Sequence, residues 1–372
     1  MDHVYKLSSL QAARGLAALM VVAFHSLFIS AKYVESKNLL PEIFSFGQTG
    51  VDLFFVISGF VMIIAFRNKF GKKGEIVNFL KGRFFRIYPT YWIYFLAVFL
   101  VFQIKPEMMN GSQGGNVDLT TSLLLLPAST LPLLMVAWSL IHEVWFYLVF
   151  AVILLLPSKW VLSAFSFWLF AIICASSFTT TPDNPYLRVM THAFSLEFIF
   201  GALAGIAYLK LSKRPTSSPL AAALMALAGL GAITFALRAG AVDGSDVIQS
   251  ISLERAFAVG GGYTLLLLAS ALQESHNRLK VFGFLKSVGD MSYSLYLSHI
   301  LTLSVCGRVW LSLGYTGSGA WGAMVFWATS YSAVLLVAYL SYRLIETPLL
   351  ALTTSYRKPK LVKTLPTAEG DT

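Results

Sequence analysis

Charge is the scarcest property of this sequence. Of its 372 residues only 12% are Asp, Glu, Lys or Arg, about half the share of an ordinary soluble protein, whereas 56% are hydrophobic. The mean hydropathy is +0.69. That balance excludes a soluble globular domain and describes an all-α, polytopic integral membrane protein. Cysteine is nearly absent: Cys174 and Cys306 both fall in hydrophobic segments, which excludes a disulfide framework and a metal centre built on them. They read as small buried hydrophobes. No repeat of fixed period is visible, nor an inverted pair of broken helices of the kind secondary transporters use. The triplet Gly260, Gly261, Gly262 has no strand before it and reads as a helix-packing face, not a phosphate loop. The first hydrophobic run has few charges before it and no small-residue cleavage site, so a retained span is expected in place of a signal peptide.

About ten runs are long enough to span a bilayer: 10–30, 47–66, 85–104, 138–156, 160–178, 191–209, 219–238, 252–272, 291–310 and 319–343. The 28 lysines and arginines are distributed unevenly between their ends. With the N-terminus inside, twenty lie in inner segments, among them Arg67, Lys69, Lys72, Lys73, Lys81, Arg83 and Arg86, whereas the outer segments hold four, Lys32, Lys37, Lys105 and Arg188. By the positive-inside rule both termini are expected in the cytoplasm. The same asymmetry accounts for the formal net charge of +10, so no nucleic acid is expected as a partner. One membrane domain is expected over 1–350, followed by a short, polar, disordered cytoplasmic tail over 351–372.

The polar residues inside the spans carry the chemical information. The first span, Leu10 to Ser30, contains Arg14 and His25. Eleven residues make roughly three turns, which puts both side chains on one face about 16 Å apart along the axis. Ionisable groups at membrane depth are costly and usually face a cavity or a partner. The pair therefore predicts a polar seam through the bilayer, although an arginine snorkelling to the headgroups and an interfacial histidine fit the same positions. Asp52, near the outer end of the second span, is at a depth to orient His25; it also suits a helix N-terminus. Glu143 enters the fourth span beside His142 and one turn before Tyr147, where it serves either the His25 seam or a nearby arginine.

On the inner side, Arg83 and Arg86 are three apart and share a face at the start of the third span. Two guanidiniums there suit a phosphorylated ligand or anionic lipid headgroups. The ninth span opens with Asp290, Tyr293 and Tyr296, with His299 deeper, and Glu346 closes the tenth just before Pro348, which is expected to stop the helix. Aromatic-belt, packing and helix-end roles also fit these positions. Segment 105–136 begins polar and ends in a Pro-broken apolar stretch, a pattern for a re-entrant or interfacial piece. His192 adds one more histidine in the outer half.

Six blocks, RGLAALMVVAFH, GVDLFFVISGF, RFFRIYPTYW, WSLIHEVWFY, SYSLYLSH and IETP, run in this order from Arg14 to Pro348. Together they resemble acyltransferase family 3, membrane O-acyltransferases, many of them bacterial, that modify surface and secreted polysaccharides. The resemblance covers nearly the whole chain. It implies that His25 is catalytic and that Arg14 and the Arg83/Arg86 pair, matching the family's arginine positions, help bind an acyl-CoA donor. It also points to the stand-alone branch, which lacks an appended hydrolase-like domain and acetylates exopolysaccharide units.

The expected reaction is transfer of an acyl group, acetyl by preference, from cytoplasmic acetyl-CoA to a sugar hydroxyl of a lipid-linked glycan, at a bacterial-type inner membrane. His25 would act as general base or as a transient acyl carrier. Asp52 or Glu143 would orient it, and Arg14 would stabilise charge. Arg83, Arg86 and Tyr293 would hold the donor, and Glu346 and His299 would contact substrate. No metal is expected. A proton-coupled transporter of a polysaccharide precursor, or an assembly subunit of an export complex, are the competing classes.

Overall fold

The computed structural model describes residues 7–34, 40, 42–106, 116–178, 182–213, 218–242, 252–315 and 319–355. Among them the chain is helical, with no strand. The long helices are α1 (Ser8–Tyr33), α2 (Gly50–Phe66) and α3 (Gly74–Ile104), then, after the short α4 (Leu119–Leu124), α5 (Trp138–Leu154) and α6 (Val161–Phe178). A short α7 (Pro185–Thr191) leads into α8 (Phe194–Leu211), which is followed by α9 (Pro219–Arg238). The one-turn α10 (Leu253–Arg255) and α11 (Gly261–Ser275) come next, then α12 (Gly283–Asp290), α13 (Ser292–Ser312), α14 (Gly319–Ser341) and α15 (Thr347–Ser355).

Among the described residues nine helical runs are long and apolar enough to cross a membrane, against about ten expected. The one that falls short in apolarity is α13. It is 21 residues long, enough to cross, but its Ser292, Ser294, Ser298 and His299 are buried inside the protein. Its polarity faces a partner, not lipid.

Two helix crossings bring backbones together where side chains are missing. A Cβ on Gly59 of α2 would lie 1.9 Å from the Phe198 carbonyl of α8, and one on Gly201 of α8 would lie 1.9 Å from the Val56 carbonyl. Likewise, a Cβ on Gly289 of α12 would meet the Gln11 carbonyl of α1 at 1.8 Å, and one on Gly15 would meet Leu285. Small residues allow this approach, and dispersion between the helices replaces what lipid would supply. The second crossing sits one residue from Arg14 and fixes its height.

Two π-turns interrupt the spans, Ala256–Gly260 and Tyr342–Glu346. Each adjoins or contains a buried charged residue, Arg255 in one case and Glu346 in the other. The extra residue in the turn rotates the following helix, a device common at functional sites. Helical structure also continues past Pro348, which the sequence marks as a stop. Pro348 lies just after the π-turn Tyr342–Glu346 in one continuous helical run, so its missing N–H falls where the regular hydrogen-bond ladder is already interrupted. The expected tail beyond Ser355 lies outside the described residues.

The start of α1 has no side-chain cap of its own. Glu274 at the end of α11 accepts from Ser8 N at 2.6 Å and Ser9 N at 2.8 Å, satisfying two of the orphan donors with a carboxylate placed well for the helix dipole. Glu274→Ala is expected to cost about 1 kcal/mol, read as a lowered thermal midpoint in detergent; an unchanged midpoint would remove the cap from the account.

Within residues 116–137 the short α4 is tied to α3 by side-chain donors. The carbonyls of Ser122, Leu123 and Leu124 at the end of α4 accept from Tyr91 Oη (2.5 Å), Trp92 Nε1 (3.0 Å) and Tyr88 Oη (3.0 Å) of α3. Three ring donors supply what no further helical turn provides.

Candidate active site

A polar cavity of about 70 Å³ lies among the described residues. It lies where the first halves of α1 and α3 meet α2, α5 and the start of α13. Arg14, Arg83, Arg86, Glu143, Tyr147, Ser58, Tyr293 and Tyr296 line it. The helices carrying them are separated in sequence but converge at one depth, the depth fixed for α1 by the Gly15–Gly289 crossing.

Each charged group has a distinct setting. Arg86 Nη1 donates to Glu346 Oε1 at 2.8 Å and its guanidinium lies over the Tyr293 ring, 5.7 Å from the centroid. Glu346, fully buried, also accepts from Ser294 Oγ at 2.7 Å, and Tyr293 Oη donates to the Ile87 carbonyl at 2.7 Å. Arg83 sits over the rings of Phe79 and Tyr147 at 5.7 and 5.5 Å. Glu143 accepts from Ser58 Oγ at 3.0 Å and from Tyr147 Oη. The Nε atoms of Arg14 and Arg83 are buried with no hydrogen-bond partner among the described residues. Three guanidiniums thus face two carboxylates, and two of them retain unused donors. The cavity is electropositive and short of acceptors, the condition an anionic group satisfies.

Tyr296 forms the boundary between this cavity and a second polar zone. Its hydroxyl is held by Ser139 Oγ at 2.7 Å and donates to the Val136 carbonyl at 2.9 Å. Its ring lies 5.9 Å from that of His299, and His299 lies 5.0 Å from His25, centroid to centroid. The two imidazoles are joined, His299 Nε2 to His25 Nδ1, at 3.2 Å. His25 Nδ1 also lies 2.9 Å from the Val21 carbonyl. The seam expected from Arg14 to His25 therefore runs along one face of α1 and is continued by α13.

Not every expected residue joins this group. Asp52 is fully buried, and both its oxygens are taken by Arg255, from Nε at 3.0 Å and Nη2 at 2.8 Å. The expected Asp52–His25 contact is replaced by this ion pair, because an unpaired carboxylate and an unpaired guanidinium at that depth would each cost more than the geometry they gain together. Glu143 likewise bonds within the cavity and not to His25. His142 packs against His192 at 4.7 Å between centroids, among Trp138 and Phe194, outside the cavity lining. From the sequence Tyr296 reads as a belt residue and Ser58 as a small packing residue, whereas Tyr147 is marked by its position one turn after Glu143.

The chain matches the acyltransferase domain model of family 3 over residues 7–343. It is 31% identical over 326 residues to the exopolysaccharide production protein ExoZ of Rhizobium meliloti, covering 82% of this chain and 90% of that one. It is 24% identical to the peptidoglycan O-acetyltransferase OatA of Listeria monocytogenes, over 92% of this chain but 55% of the longer relative. The acyltransferase MdmB of Streptomyces mycarofaciens is 33% identical over 40% of this chain and 39% of its own length. No solved structure matches the chain.

Proposed function

The chain belongs to acyltransferase family 3, and on that footing we propose that it moves an acyl group, acetyl by preference, from cytoplasmic acyl-CoA to a sugar hydroxyl of an exopolysaccharide or other cell-surface glycan precursor. One observation carries the reading: an electropositive cavity with unused arginine donors is joined, through Tyr296, to a histidine pair in the next zone of the same helices. Phosphorylated donor and hydroxylic acceptor require those two environments, and in this order. The similarity to an exopolysaccharide production protein supports the acceptor class. In this reading the protein is a multi-pass resident of a bacterial-type inner membrane, the arginine end faces the cytoplasm, and the acyltransferase unit is residues 1–350.

In the proposed reaction Arg83 and Arg86 hold CoA phosphates, with Glu346 and Tyr293 fixing the Arg86 guanidinium. Arg14 supplies positive charge along the donor path. His25 takes the proton of the acceptor hydroxyl as its oxygen bonds to the acyl carbon. The carbon–sulfur bond then breaks, and the proton ends on the CoA sulfur. Glu143, fixed by Ser58 and Tyr147, is a counter-charge to the arginines. Asp52 acts on the architecture through Arg255.

The test is release of CoA from acetyl-CoA by purified protein in lipid, with and without a lipid-linked glycan acceptor. Acceptor-dependent release is expected; no release with any acyl-CoA overturns the proposal. Arg83→Gln with Arg86→Gln is expected to raise KM for the donor by about 10- to 100-fold, the cost of losing charge-assisted bonds, and to leave KM for the acceptor unchanged. Equal shifts in both would count against phosphate binding.

A further inference from the structure

The meeting of His25 and His299 is built into helix register. The helices α1 and α13 run parallel, and two turns beyond the histidines the pattern repeats: Tyr33 packs on Gly307, where a Cβ would lie 2.3 Å from the ring. Below the pair, Gly15 and Gly289 lock α1 against α12, the element that leads into α13. Beside it, Ser26 Oγ is hydrogen-bonded to Tyr331 Oη of α14 at 3.0 Å. Helices held above, below and beside the contact leave the two rings little freedom to part.

The hydrogen bonds also define the tautomers. Backbone carbonyls only accept, so the nitrogen facing each one carries the hydrogen. His25 Nδ1 faces the Val21 carbonyl at 2.9 Å and His299 Nδ1 faces the Leu295 carbonyl at 3.2 Å. Both rings are therefore Nδ1–H tautomers. His299 Nε2 has a lone pair, and it shares the single Nδ1–H of His25 with the Val21 carbonyl in a three-centre hydrogen bond. His25 Nε2 is left as the basic nitrogen.

We propose that His299 is the positioning residue of His25: its Nε2 accepts the His25 Nδ1–H, ties the ring across to a second helix and stabilises the imidazolium formed as His25 Nε2 takes the acceptor's proton. This deepens the acyl-transfer reading and rests on it. The place is the one a carboxylate occupies in serine-hydrolase triads, and here the neighbouring carboxylates are committed, Asp52 to Arg255 and Glu143 to Ser58 and Tyr147. A neutral imidazole suits a membrane interior better, because it accepts the hydrogen bond without a buried charge that needs its own counter-ion. Val21 lies on the same helix as His25 and fixes only the tautomer; His299 fixes the ring's direction.

The experiment compares His299→Leu and His299→Gln in lipid with wild type, after checking that each elutes as a single species with a near-native thermal midpoint. Gln reaches about as far as the imidazole Nε2 and can accept through Oε1. His299→Leu is expected to lower kcat by about 100-fold with both KM values within two-fold, and His299→Gln to recover most of that loss. On a His25→Ala background His299→Leu should add no further loss. Full activity in His299→Leu, or equal loss in folded Leu and Gln variants, overturns the assignment. A second readout needs no turnover: carbethoxylation of His25 by diethyl pyrocarbonate, followed by mass spectrometry, should slow several-fold in His299→Leu and recover in His299→Gln. A wild type inert toward every acyl-CoA would sink the acyl-transfer reading, whereas unchanged carbethoxylation would sink the histidine pairing alone.

Discussion

Replacing His25 with alanine is expected to lower acyl transfer by about 10²–10⁴-fold, the usual contribution of a general base, while the protein stays folded. His25 is only half-buried and packs against the rings of Phe24 and Phe28, so its loss opens no large cavity. What is lost is the lone pair on Nε2 and the partner of His299. The measurement is CoA release under saturating donor and acceptor, beside a thermal melt of the same preparation. A variant that keeps wild-type turnover would take His25 out of the mechanism. A variant that keeps CoA release but loses its dependence on acceptor would mean that His25 acts on the hydroxyl and that water replaces it.

The largest effect on stability is expected at Arg255. Arg255 and Asp52 are essentially buried, with 2% and 0% of their side chains exposed, and they are joined through two hydrogen bonds. Breaking such a pair by removing one member costs about 3–5 kcal/mol, because the survivor remains buried without compensation. The two ends are unequal. Glu197, fully buried on α8, lies beside both members and packs against Gly260, where a Cβ would come within 2.7 Å of its Cγ. Arg255→Ala leaves two acidic side chains without their cation, whereas Asp52→Ala leaves Arg255 with Glu197 nearby. The thermal midpoint in detergent should therefore fall further in Arg255→Ala than in Asp52→Ala. The double replacement by apolar residues of similar volume should recover part of the loss. Equal midpoints for the two single variants would contradict this view of Glu197.

Much of the candidate site was legible in the sequence because membrane burial makes polar residues conspicuous. Arg14 and His25 share a face by helical arithmetic, Arg83 and Arg86 by their three-residue spacing, and the structure places Arg14, Arg83, Arg86, Glu143 and Tyr293 around one cavity. What spacing leaves open is the partner. Asp52 and Arg255 are 203 positions apart and Arg86 and Glu346 are 260 apart. A hydrophobic pattern tells which face of a helix is turned inward, not which helix it will meet. Asp52 was assigned to His25 by depth, and depth is shared by every helix that crosses at that level. Tyr296 reads as an interfacial aromatic until Ser139 and Val136 are seen to hold its hydroxyl. The π-turns at Ala256–Gly260 and Tyr342–Glu346 carry no sequence mark, since an ordinary helix has the same composition.

The sequence by itself determined the all-helical membrane class and the seam on the first span. Hydrophobic length and the expense of buried charge are local properties, written residue by residue. It also carries the uneven distribution of lysine and arginine among the segments that join the spans. Only the tertiary structure decided which carboxylate each arginine holds, and that His25 meets a second histidine instead of an aspartate. Those choices depend on helix order, register and rotation, which small-residue crossings such as Gly15–Gly289 and Gly59–Gly201 set over distances no local pattern encodes.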